Sequence, residues 1–140
     1  MRSSELVDEI ARHAADKKAA GLILLDLREI VGYTDYFMIC SGSTGRQTKA
    51  IHDGILEGMK RDHDLLPRRV EGANGAEWIL MDYLDVVAHI FTPQARDYYR
   101  LEELWGEAPV RAAGDSAARQ GAVAACAPQG AERGVAGERA

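Results

Sequence analysis

The stretch Thr34–Ile51, TDYFMICSGSTGRQTKAI, and the later stretch Glu77–Phe91, EWILMDYLDVVAHIF, decide the fold. In the first, Tyr36 to Cys40 is a run of β-formers that ends in the small-residue turn Ser41 to Gly45 and passes into a helix. Ser43 or Thr44 is placed to cap that helix, and Ile51, Ile55, Leu56 and Met59 form its apolar stripe. In the second, two apolar strands, Glu77 to Tyr83 and Val86 to Phe91, hinge on an acidic turn around Asp82 and Asp85.

Outward from these blocks the remaining elements follow. Ser3 or Ser4 opens a first helix with Leu6, Val7, Ile10 and Ala14 on one face, and Gly21 suits its stop. Leu22 to Leu27 reads as a buried strand. Arg68 to Gly72, short and charged, reads as an edge strand, followed by an Asn-Gly turn. Thr92 caps a last helix that begins at Pro93, where a missing N–H is harmless. The expected fold is α+β: a layered sandwich with a mixed sheet of about five strands and helices packed on it. Leu25, Ile39 and Val87 belong to its central strands.

The chain has 140 residues, enough for one domain, and 46% are hydrophobic, as a globular core requires. Its net charge of -5 is unevenly placed. Residues 1–106 hold 13 Lys and Arg against 18 Asp and Glu, and residues 107–140 hold 4 against 4. An acidic domain does not suit direct, sequence-specific binding of nucleic acid. It suits a basic protein partner approached under electrostatic steering. Residues 107–140 contain 12 Ala and 5 Gly but no Leu, Ile or aromatic residue, so they are expected to form a disordered tail. Neither a signal-peptide core nor a membrane-length apolar run is present, which suggests a cytoplasmic protein.

Catalytic signals are weak. Gly42-Ser43 at a helix start could cradle a phosphate. The paired acids that phosphoryl-transfer metals need on an adjacent strand are missing, since Asp62-His63-Asp64 falls in a polar loop and Asp82 and Asp85 span a turn. His13, His52, His63 and His89 have no partner at ligand spacing, and no nucleophile motif occurs, so neither a cofactor nor a metal is expected. Cys40 lies within an apolar run and reads as a core residue. What remains is a surface. Trp78, Leu80 and Asp82 share one face of their strand, and Ile79, Met81 and Tyr83 share the other. The first set fits an interface with an aromatic anchor and a polar rim; it equally fits a face covered by the chain's own helix.

The blocks Asp26-Leu27, Thr34-Asp35-Tyr36-Phe37, Ile39-Cys40-Ser41-Gly42, Arg46-Gln47, Trp78, Asp82-Tyr83, Asp85-Val86-Val87, His89, Arg96, Tyr99 and Leu104-Trp105, in that order, resemble the Iojap family of ribosomal silencing factors. The likeness runs from about Leu6 to Trp105. Ser43-Thr44-Gly45 and Leu84 depart from the family pattern, both at turns. The resemblance implies a nucleotidyltransferase-like topology without enzymatic activity. It implies binding to the large ribosomal subunit through its fourteenth protein, a steric block to joining of the small subunit, and lowered translation when nutrients are short. It also implies a tendency to form homodimers. It favours the interface reading, with Trp78, Leu80, Asp82 and Asp85 as partner-binding residues and Tyr83 as a further member. A nucleotide-binding or nucleotidyl-transferring enzyme of the same fold is the alternative.

Overall fold

The computed structural model describes residues 1–30, 34–106 and 108–111. The elements run α1 (Ser3–Asp16), β1 (Ala20–Asp26), β2 (Tyr36–Ser41), α2 (Gly45–His63), β3 (Arg69–Glu71), β4 (Trp78–Asp82), β5 (Val86–Phe91), α3 (Pro93–Tyr99), α4 (Leu101–Leu104) and β6 (Val110–Arg111). The strands form one sheet in the order β3-β4-β5-β2-β1-β6. Only the β2–β5 pair is parallel, and it requires the long crossover through α2. The α+β mixed sheet is as the sequence led one to expect, with the two-residue β6 added at one edge.

β2 and β5 are buried along their whole length because both faces of the sheet are covered. On one face α1 and α2 pack over Leu24, Met38, Ile79, Met81, Ala88 and Ile90. On the other, Leu25, Phe37, Ile39, Val87 and Phe91 meet Ala95, Leu101 and Ala108 from the C-terminal segment. Burying a Leu, Ile or Phe side chain contributes about 1.5–3 kcal/mol, so these two clusters supply most of the driving force. Leu25, Ile39 and Val87 are all buried, in agreement with their assignment to central strands.

The helices α1 and α2 run antiparallel and come unusually close. Gly54 faces Lys17, and Gly58 faces the His13 ring so tightly that an added Cβ would strike it.

Several boundaries differ from the sequence reading, each for a local reason. The cap of α1 is Arg2 rather than Ser3 or Ser4, and the Glu5 carboxylate takes the Arg2 N–H at 3.0 Å. Gly21 does not end α1. It lies within β1 at a φ of +56°, where the β1–β2 register slips, and the left-handed turn after α1 falls on Lys18 instead. The last helix breaks at Arg100, which adopts a left-handed conformation, so that α4 turns back over the sheet. The boundary drawn at residue 106 falls short, because Ala108 is buried and Val110 pairs with Leu25. Of the tail expected over residues 107–140, residue 107 and residues 112–140 lie outside the described residues.

Candidate interaction surface

β4 carries Trp78 and Leu80 onto the sheet face opposite α1 and α2, where α3 and α4 cover them only in part. The Trp78 indole stands 5.0 Å from the Phe91 ring and 4.6 Å from the Tyr99 ring, centroid to centroid. Its Nε1–H donates to His89 Nδ1 at 3.0 Å. This bond fixes the tautomer: Nδ1 is the acceptor, so the His89 proton sits on Nε2. Burial pushes the His89 pKa down to about 3, so the ring is neutral. His89 is therefore a support that orients Trp78 rather than a metal ligand or a base. Its Nε2–H has no partner among the described residues, and neither does Trp105 Nε1–H on the same side of the sheet.

Beside Trp78 and Leu80 lies a shallow cleft of about 260 Å³, with Glu71 and Gly72 on its far wall. Gly72 has a φ of +83°, and a Cβ there would run into the Trp78 carbonyl oxygen. Only glycine allows β3 and β4 to close on each other at that point. Tyr98 and Tyr99 extend the apolar surface outward, at 77% and 45% exposure. An apolar, half-open aromatic shelf with an acidic wall has the character of an interface core.

The other expected members take different places. Asp82 is 4% exposed and is engaged by its own chain. It accepts from Arg68 Nη2 at 2.8 Å and from the Leu84 N–H at 2.8 Å, with Arg69 Nη2 at 3.6 Å. Burial alone would raise its pKa; the Arg68 bond and the Leu84 N–H outweigh it and hold the carboxyl below its usual range. The expectation that Asp82 meets a partner's cation is thus corrected, because its cations are Arg68 and Arg69. Tyr83 packs into the core under α1 and α2 with its hydroxyl buried, and burial pushes its pKa well up. Asp85 is exposed at the turn, beside Leu84, which is half exposed at a φ of +78°. Trp78 and Leu80 therefore form one group. Asp85 lies in the turn beyond the far end of β4, whose Asp82 is already about 13 Å along the strand from Trp78 at roughly 3.3 Å per residue. Sequence reasoning missed Tyr98 and Tyr99; their signal was a pair of adjacent tyrosines in a helix with few buried positions.

The phosphate-cradle reading of Gly42-Ser43 meets a closed helix end. The Ser43 N–H and hydroxyl both donate to Gln47 Oε1 at 2.7 Å, and Thr44 Oγ1 accepts from the Gln47 N–H. Thr44, not Ser43, is the cap. The Asp62-His63-Asp64 carboxylates lie at the opposite end of α2, about 25 Å away at roughly 1.5 Å rise per residue. No nucleotide site is assembled among these residues. None of the described helices is long and apolar enough to cross a membrane.

The family model described as "Ribosomal silencing factor during starvation" matches residues 1–134. A ribosomal silencing factor of Bacillus subtilis is 36% identical over 110 residues, covering 79% of this chain and 92% of that protein. A more distant mouse relative is named for mitochondrial assembly of the ribosomal large subunit; it is 26% identical over 103 residues, with 71% of this chain and 44% of that protein covered. The crystal structure of a Chromobacterium violaceum protein superposes with a TM-score of 0.73 at 30% identity, covering 76% of this chain and 88% of that one.

Proposed function

The chain belongs to the ribosomal silencing factor family, and from that premise we propose that it binds the large ribosomal subunit through its fourteenth protein and sterically blocks joining of the small subunit. The family is one of regulators of translation. The observation that carries the proposal onto this chain is the Trp78–Leu80–Tyr99 shelf, held rigid by the Trp78–His89 bond and left open to solvent. Rigid aromatic surface costs little conformational entropy on binding and dominates interface energies. Asp85, exposed at the turn beyond the end of β4, supplies an acid suited to Lys or Arg of a basic ribosomal protein, and Glu71, on the cleft wall and paired with Arg69 at 3.3 Å, adds a second exposed carboxylate. Asp82 contributes indirectly by fixing the Leu84–Asp85 turn, and Tyr83 by anchoring the same turn to the core. The name of the mouse relative also connects the family to the large subunit.

The action so described is steric and requires no chemistry. A nucleotidyl-transferring enzyme is disfavoured by the self-capped start of α2 and the remote carboxylates. A homodimer and a cytoplasmic location belong to the same proposal. The test is co-sedimentation with purified large subunits at two salt concentrations. Binding should weaken with salt, as charge-steered contacts do. Wild-type protein that never comigrates with the large subunit would refute the proposal.

A further inference from the structure

Where α1 crosses α2, three side chains that were far apart or unremarkable in sequence point at one spot. Glu9 and His13 lie one turn apart on the same face of α1, and Asp62 reaches them from the last turn of α2. One ligand atom from each lies within 4.8 Å of the other two. The His13 ring is buried against the bare backbone of Gly58, and its Nε2 sits 3.2 Å from Asp62 Oδ2. His63 stands at the rim with Nε2 3.0 Å from Glu9 Oε1.

The position between the three atoms is held by a single nitrogen. Arg12 Nη2 is 2.8 Å from Glu9 Oε1, 3.2 Å from Asp62 Oδ2 and 3.5 Å from His13 Nε2. Each protonation state of His13 Nε2 satisfies one of its two neighbours, Arg12 and Asp62, and opposes the other. A bare Nε2 accepts from Arg12 but turns its lone pair on the Asp62 carboxylate. A protonated Nε2 donates to Asp62 but opposes the Arg12 N–H. A cation without hydrogens removes the conflict, because a bare imidazole nitrogen and two carboxylates can then all donate electron pairs to one centre.

We propose that Glu9, His13 and Asp62 form a binding site for a divalent transition ion of the zinc class, with Arg12 as its built-in competitor. One imidazole and two carboxylates suit zinc better than magnesium or calcium, which favour all-oxygen shells. Zinc needs ligand atoms at about 2.0–2.2 Å and so about 3.4 Å from each other in a tetrahedron. His13 Nε2 and Asp62 Oδ2 are already about that close, at 3.2 Å, so it is chiefly the Glu9 carboxylate that must draw in as Arg12 leaves. Arg12 is half exposed and has open solvent to move into. His63 or a water completes the fourth position. Since the ligands come from two helices, the ion would clamp α1 to α2 and tie the stability of that layer to metal supply.

The test uses the untagged full-length chain with zinc chloride, followed by cobalt(II) as a spectroscopic probe. Zinc should raise the melting temperature of the wild type and raise that of Arg12→Ala further, because the competitor is gone. Glu9→Gln and Asp62→Asn, checked as folded by circular dichroism, should lose most of the shift. Cobalt should give ligand-field bands without thiolate charge transfer. The proposal is overturned if neither the wild type nor Arg12→Ala responds, if the shift survives in Glu9→Gln and Asp62→Asn, or if a thiolate band shows that a cysteine holds the ion.

Discussion

At the scale of single residues, Trp78 carries the most weight. It is the anchor of the shelf, and its N–H orients it on His89. Trp78→Ala should weaken large-subunit binding by about 2 kcal/mol or more, as truncation of a central aromatic does. Trp78→Phe keeps the ring but leaves His89 Nδ1 without its donor, which should cost roughly 1 kcal/mol of folding stability with a smaller loss of binding. Measured together by co-sedimentation and thermal melting, the pair separates contact from support; equal binding losses in both would contradict this division. A second residue-scale expectation concerns Glu9. Hydrogen bonds from Arg12 and then His63 lower its pKa from the ordinary 4.5 to about 2. A depressed folded value means a stabilising contribution fully present above pH 4.5 and lost as pH falls towards 2. Glu9→Gln should therefore flatten the acid side of the stability curve in that window, and an unchanged curve would count against the network. The sequence exposed Trp78 and Leu80 as a pair because period-two alternation puts them on one face. It could not show that Asp82 is spent on Arg68 and Arg69. That pairing depends on β3 lying beside β4, and register across a loop is not written in local pattern.

At the scale of elements, two devices hold α2 in place. Thr44 caps its start, so Thr44→Ala should cost about 1 kcal/mol and Ser43→Ala less, since Ser43 bonds only to the Gln47 side chain. Gly58 accepts the His13 ring, so Gly58→Ala should destabilise by about 1–3 kcal/mol despite improving helix propensity. A stabilised Gly58→Ala variant in thermal melts would mean that the two helices do not approach as described. Strands β2, β4 and β5 were legible because they are continuous or alternating apolar runs. The close α1–α2 crossing was not, since a glycine in a helix reads the same whether it is tolerated or needed. The break at Arg100 was hidden as well: a left-handed arginine carries none of the glycine signal by which a helix stop is usually recognised.

At the scale of the molecule, one face of the sheet is sealed by long helices and the other is closed only partly by a short C-terminal excursion. That asymmetry leaves a half-open aromatic surface on an otherwise acidic domain. It also makes the segment through Arg111 part of the fold. Truncation after Gly106 removes the buried Ala108 and the β6 pairing, and should lower the melting temperature by several degrees, whereas truncation after Arg111 should not. Equal melting temperatures would mean that the β6 edge contributes nothing. The central claim is that this domain silences ribosomes by occupying the joining face of the large subunit. The most direct measurement is gradient sedimentation of purified subunits with rising amounts of the protein, comparing wild type with a folded Trp78→Ala variant. The account predicts that the wild type travels with the large subunit while the joined-ribosome peak shrinks, and that Trp78→Ala does neither at the same concentration. Wild-type protein that saturates the large subunit yet leaves the joined peak intact would contradict it.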